Sequence, residues 1–259
     1  IWDLDLAAVI ASRRYPVAMY LVTSYKLIEE SKPEWKENRD FFRNHVAKMF
    51  QAERWALEAV DQIIASTDAI RKDTESVYDI KLDREKLTIL PFGVPGPRHF
   101  DPVVSPGDEG IKLLFVGRLE PRKGADDLLQ VIPDLMKEYP QLSVYCVGDK
   151  AIPSPDGKTY SDIFIDSYGR EKWIDRVHFL GHVDDETLEM HYSQCDIFVA
   201  PSRYESFGLI YLEAMRYGKP CIGTTAGGIP EVVVDGETGI LVEPGHRQQL
   251  RDAISRLVE

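Results

Sequence analysis

The residues best suited to chemistry stand in three short clusters, each directly after an apolar run. The first is Gly117-Arg118-Leu119-Glu120-Pro121-Arg122-Lys123-Gly124. Glycine lets the backbone approach a ligand closely. Arg grips a phosphate bidentately, and Lys adds a point charge. A helix starting behind such a loop attracts an anion to its N-terminus. Together these features suit a diphosphate; a polar turn whose cations face water is the plainer alternative.

The second cluster runs from Pro201 to Glu213 and contains Ser206-Phe207-Gly208-Leu209. Ser206 is expected to be the N-cap of a helix over 207–217. The backbone N–H groups of Phe207, Gly208 and Leu209 would then suit phosphate or sugar oxygens. Glu205 lies just before that helix, and Glu213 lies eight residues on. That spacing is about two turns, with a rotation of roughly 80°. Carboxylates accept hydrogen bonds, and the vicinal hydroxyls of a sugar or ribose are natural donors. Two surface glutamates, one a helix-dipole partner, are the ordinary alternative. The third cluster, Thr224-Thr225-Ala226-Gly227-Gly228-Ile229-Pro230-Glu231, places paired glycines at a helix start. By itself it is a tight turn, and it gains weight only beside the other two.

Composition bounds what these clusters serve. Hydrophobic residues make up 44% of the 259-residue chain, the mix of a globular protein with a core. The formal net charge is −12 and the pI about 5.0, and the cations are spread along the chain. This excludes an electrostatic footprint for nucleic acid but not a small anionic ligand. Cys146, Cys195 and Cys221 are too widely spaced for a zinc motif or a disulfide framework. They read as buried reduced thiols of a cytoplasmic protein. No run approaches the ~20 apolar residues that span a membrane. The chain opens on Ile1 and closes within an amphipathic pattern at Glu259, as a piece of a longer protein would.

The elements that must position the clusters alternate between strand and helix. Before the Pro- and Gly-rich stretch that begins at Pro91, strands are expected at 17–22, 62–65 and 87–90, with helices at 35–60 and 68–77. Lys36, Arg39, Arg43 and Lys48 form a charged face on the first helix. A solvated face is the ordinary reading of such cations, and peripheral contact with a membrane surface is the alternative. After the stretch, strands are expected at 111–116, 142–147, 177–180, 197–200, 220–223 and 240–242. Helices are expected at 125–139, 161–173, 185–194, 207–217, 229–234 and 248–257. Regular alternation implies α/β architecture with parallel sheets, whose ligands bind at the carboxyl ends of the strands. The domains read as 1–97 and 111–259, joined by a linker over 98–110.

Four ordered motifs carry a resemblance. They are Gly117-Arg118-Leu119 with Lys123-Gly124; Pro201-Ser202 with Glu205-Ser206-Phe207-Gly208 and Glu213-Ala214; Ala226-Gly227-Gly228-Ile229-Pro230-Glu231; and Gly236 with Gly239. The succession resembles the retaining GT-B glycosyltransferases of glycosyltransferase family 4, and it covers residues 111–257. The resemblance implies two Rossmann-like domains, an acceptor-side one that looks incomplete here and a nucleotide-sugar donor domain. It implies that Gly117, Arg118 and Lys123 bind the donor diphosphate, with Arg118 and Lys123 stabilising it as leaving group. It implies that Glu205 contacts the donor sugar, that Glu213, the second Glu of an E-x7-E motif, binds the ribose, and that Ser206, Phe207, Gly208 and Leu209 hold donor oxygens. The donor would be a UDP- or GDP-sugar. Neither cofactor nor metal is implied, and the acceptor, whether glycan, lipid or small metabolite, is left open.

The first ninety-odd residues depart from that pattern. No glycine-rich loop is found near the start, and the loop after the first strand reads Leu21-Val22-Thr23-Ser24 where relatives often place a His. No acceptor-side catalytic residue is nominated. A non-catalytic nucleotide-sugar binder and a sugar-nucleotide epimerase of the same fold are the alternatives. The first would neither transfer nor hydrolyse the donor; the second would alter it without an acceptor.

Overall fold

A computed structural model describes residues 13–29, 32, 34–100 and 110–259. Residues 101–109 of the expected linker lie outside the described residues. The chain divides into two compact units, Ile1–Phe92 and Gly93–Glu259. The start of the Pro- and Gly-rich stretch is fastened within the second unit: Arg216 donates to the Pro95 carbonyl at 3.2 Å, and the Arg98 amide donates to the Tyr217 hydroxyl at 3.1 Å.

The first unit holds a parallel sheet in the order β1 (Ala18–Leu21), β2 (Gln62–Ala65), β3 (Leu87–Ile89). Its core gathers Leu21, Ala56, Leu57, Ile63, Ala65, Ile70 and Tyr78. The helix expected over 35–60 is not continuous. It comprises α1 (Glu34–Glu37), α2 (Arg39–Phe41), a π-helical turn (Phe42–Val46) and α3 (Ala47–Ala59). Asn38 causes the break. Its extended backbone interrupts the first segment, and its side chain caps the second by accepting from Asp40 N at 3.1 Å and Phe41 N at 2.9 Å. The helix expected over 68–77 is α4 (Asp68–Tyr78), capped by the Thr67 side chain. A buried polar tie centres on Glu53, 1% exposed, which accepts from the Ser24 hydroxyl, the Tyr25 amide and the Tyr78 hydroxyl. A carboxylate at that depth needs such partners, and they fix the loop that follows β1.

The second unit carries six parallel strands: β4 (Ile111–Val116), β5 (Leu142–Val147), β6 (Val177–Gly181), β7 (Ile197–Val199), β8 (Cys221–Thr224) and β9 (Gly239–Val242). Their order is β6-β5-β4-β7-β8-β9. On β4, Leu113 and Phe115 enter one buried cluster while Leu114 and Val116 enter the other. Side chains alternate across a sheet, so both faces are covered, and an end-to-end apolar strand is the result. Helices α5 (Ala125–Glu138) and α9 (Arg247–Val258) close one face together. The others are α6 (Tyr160–Tyr168), α7 (Asp185–Gln194) and α8 (Leu209–Met215). The expected helix at 161–173 ends at Tyr168. The expected helix at 229–234 is a single 3-10 turn, Ile229–Glu231, with a proline in its first turn.

Among the described residues no helix is long and apolar enough to cross a membrane. The three cysteines are free and buried. Burial pushes the thiols of Cys146 and Cys195 up to about 12 and raises that of Cys221 as well. Because the thiolate is the reactive form, all three are expected to resist a thiol reagent near neutral pH in the native protein and to react promptly in denaturant. Fast labelling of the native chain would contradict this packing.

Candidate functional site

The strand order sets the location. From β4 the chain steps outward through β5 to β6, then returns to place β7 on the other side of β4. The carboxyl ends of β4 and β7 therefore flank a topological switch point, where open α/β sheets form a ligand crevice. Two of the three clusters follow those two strands, and the third follows β8.

Backbone contacts knit the three loops together. The Arg203 amide donates to the Arg122 carbonyl at 2.9 Å, and the Gly228 amide donates to the Glu205 carbonyl at 2.8 Å. A Cβ on Gly124 would lie 1.9 Å from the Pro201 carbonyl oxygen, and one on Gly227 would lie 2.2 Å from that of Glu205. Only glycine permits either approach. The buried Thr224 hydroxyl donates to the Ser202 carbonyl at 2.6 Å.

Two of the sequence-predicted residues meet directly. Lys123 Nζ lies 2.5 Å from Glu205 Oε1, with side chains 17% and 12% exposed. The Ser202 hydroxyl donates to the same oxygen at 3.0 Å. Glu205 Oε2 has no hydrogen-bond partner among the described residues. Arg118 is not drawn into this contact. It is half exposed and pairs on its own loop with Glu120 at 2.8 Å, and Arg122 approaches the same Glu120 oxygen at 3.2 Å. Gly117 stands at the end of β4, its amide donating to the Val147 carbonyl at 2.9 Å.

The second cluster departs from expectation at its helix start. Ser206 is not the N-cap. The helix begins at Leu209, and Gly208 caps it in the left-handed region, at φ 97°, with no side-chain cap. A side chain at Gly208 would meet the Tyr211 ring at 2.7 Å. The glycine thus takes the turn that a Ser206-capped helix would have made two residues earlier. Phe207 and Gly208 are buried, and Leu209 is exposed. Glu213 consequently sits in the second turn, not two turns deep. Its Oε2 accepts the Tyr192 hydroxyl of α7 at 2.8 Å. Burial and the neighbouring carboxylate raise the Tyr192 phenol well above its ordinary value, so it stays a donor.

A second tie between the loops was not found from the sequence. Arg203 forks onto Asp126 at 2.7 and 2.8 Å and reaches Asp127 at 2.5 Å. Arg247, at the start of α9, donates to the other Asp127 oxygen at 2.9 Å. Adjacent acids in the first turn of α5 read as dipole partners; only the fold brings the two arginines to them. Among the described residues no group of three or more His, Cys, Asp or Glu is placed to hold a metal ion.

Comparison with known proteins bears on the family and the fold. The family model for glycosyl transferases group 1 matches residues 110–259. The glycogen synthase of Mycobacterium tuberculosis is 27% identical over 207 residues, covering 80% of this chain and 48% of that protein. The D-inositol 3-phosphate glycosyltransferase of Actinosynnema mirum is 32% identical over 222 residues, covering 79% of this chain and 51% of that protein. The chain thus spans about half the length of the curated relatives it matches. Among solved structures, Anabaena HepE in complex with UDP superposes with a TM-score of 0.70 at 24% identity, covering 97% of this chain and 65% of that one. The α/β class and the GT-B architecture of two Rossmann-like units with parallel sheets hold.

Asp127 is buried, whereas Arg203 and Arg247 are a third to a half exposed. Removing the carboxylate in Asp127→Ala is expected to lower stability by about 1–3 kcal/mol, discounted from a fully buried pair for solvent screening. A urea titration yielding no change in midpoint would contradict the clamp.

Proposed function

This chain belongs to the glycosyl transferases group 1 family, and from that premise we propose that it transfers a sugar from a UDP- or GDP-sugar to an acceptor with retention of configuration. The observation that carries the reading is the Lys123–Glu205 contact at the switch point, which sets a cation and a carboxylate side by side at the mouth of the crevice.

The chemistry follows from charge. As the glycosidic bond to the donor phosphate breaks, negative charge grows on the departing diphosphate. Preorganised cations are worth most where charge develops. Lys123 and Arg118 supply them, in the role a metal ion fills elsewhere. Each cation rests on a carboxylate, Glu205 or Glu120, and a bound diphosphate takes over that pairing. Glu205 is then left to accept from donor-sugar hydroxyls, and Glu213 from the ribose. Backbone amides at Gly208 and Leu209, which open α8, face donor oxygens, as first-turn amides lack intrahelical acceptors, and Phe207 leads into the same turn. Gly117 lets the diphosphate lie against the end of β4, and Ser206 belongs to the same donor-facing turn. A related fold solved with UDP and glucose bound supports a nucleotide-sugar donor. The acceptor is a glycan, lipid or small metabolite.

Calorimetry with UDP, GDP and ADP tests the donor site, and release of free sugar from the matching conjugate separates an enzyme from a binder. Lys123→Ala is expected to lose a charge-assisted contact worth about 1.5–3 kcal/mol, which is roughly 10- to 150-fold in Kd for the nucleoside diphosphate. Undiminished affinity would refute the role of Lys123. Glu213→Ala is expected to weaken the nucleoside diphosphate and leave inorganic pyrophosphate unaffected; equal binding of the nucleoside diphosphate by mutant and parent would remove Glu213 from the site.

A further inference from the structure

The two carboxylates of the site share one construction. Glu205 Oε1 is occupied by Lys123 and Ser202, and Glu213 Oε2 is occupied by Tyr192. The second oxygen of each, Oε2 of Glu205 and Oε1 of Glu213, has no hydrogen-bond partner among the described residues. A carboxylate anchored through one oxygen presents the other at a fixed angle. That is what a hydroxyl-bearing ligand needs, since a free side chain would lose rotamer entropy on binding.

Tyr192 is a specific device for this. Its ring is 1% exposed and packs at 5.6 Å from the Phe198 ring, among apolar side chains. A phenylalanine would fill that space equally well. A buried hydroxyl without a partner is destabilising, and the one acceptor the structure gives this hydroxyl is Glu213. The two residues come from different helices, α7 and α8, 21 positions apart. The hydroxyl therefore ties the orientation of Glu213 to the rigid body of α7.

We infer that Tyr192 is a positioning residue for the nucleoside end of the donor, holding Glu213 so that its open oxygen meets the ribose hydroxyls. The inference rests on the nucleotide-sugar reading of the site and adds to it a residue that touches no ligand. Tyr192→Phe removes one oxygen and keeps the ring. It is expected to raise Kd for whichever of UDP or GDP the parent chain binds roughly tenfold, with inorganic pyrophosphate affinity and the thermal midpoint held. In a Glu213→Ala background the same change is expected to have no further effect, because coupled residues are non-additive. Full nucleoside diphosphate affinity in Tyr192→Phe overturns the inference while leaving the site reading intact. So does an equal loss of pyrophosphate affinity, which marks general loosening, or a full additive loss in the double variant. A parent chain that binds neither nucleoside diphosphate overturns the site reading and this inference with it.

Discussion

Lys123 and Glu205 stand 82 residues apart in the chain and 2.5 Å apart in space. That contact needs β7 beside β4, and it needs the two following loops packed closely enough that Gly124 tolerates nothing larger than hydrogen against Pro201. Both side chains are mostly removed from water. An isolated charge there would be costly, so the ion pair and the Ser202 hydroxyl that shares it keep the loops closed on one another. The meeting of the three clusters follows from where the sheet reverses its order.

Around that pair the site is built from balanced charges. Glu120 lies between Arg118 and Arg122, and Asp127 between Arg203 and Arg247. These pairs differ in purpose. The Arg203 fork is bidentate and braced by a buried carboxylate, the geometry that best resists displacement. Arg118 is half exposed and held by a single contact, the geometry that gives way to a stronger anion. The loops of one site therefore carry both a structural cation, Arg203, and a loosely held one, Arg118, and residue type alone does not separate them.

The first unit applies the same rule on a smaller scale. Glu53 gathers Ser24, Tyr25 and Tyr78 around itself and sets the loop after β1. Parallel strands end in loops that a sheet does not itself fix. In both units a carboxylate reached through the core, or across the crevice, supplies the missing constraint.

The α/β alternation, the parallel strands of the second unit and the three clusters were all legible in the sequence, because local propensity and strand periodicity operate over a few residues. The motif spacing likewise singled out Lys123, Glu205 and Glu213 as candidate site residues, and strand order brings Lys123 and Glu205 together. Helix starts were less legible. Ser206 is a sound cap by type, yet Gly208 caps the helix, at a position where the Tyr211 ring leaves no room for a side chain; Asn38 broke a helix that its apolar spacing favoured. The partners were not legible at all. Nothing near Asp127 in the sequence announces Arg203 or Arg247, and nothing near Glu213 announces Tyr192, since these pairs are 76, 120 and 21 residues apart. The sequence by itself determined which residues carry charge and which segments hold them at the ends of strands. Only the tertiary structure decided which charge faces which, because ion pairs and anchoring hydrogen bonds act through space and their partners are chosen by strand order.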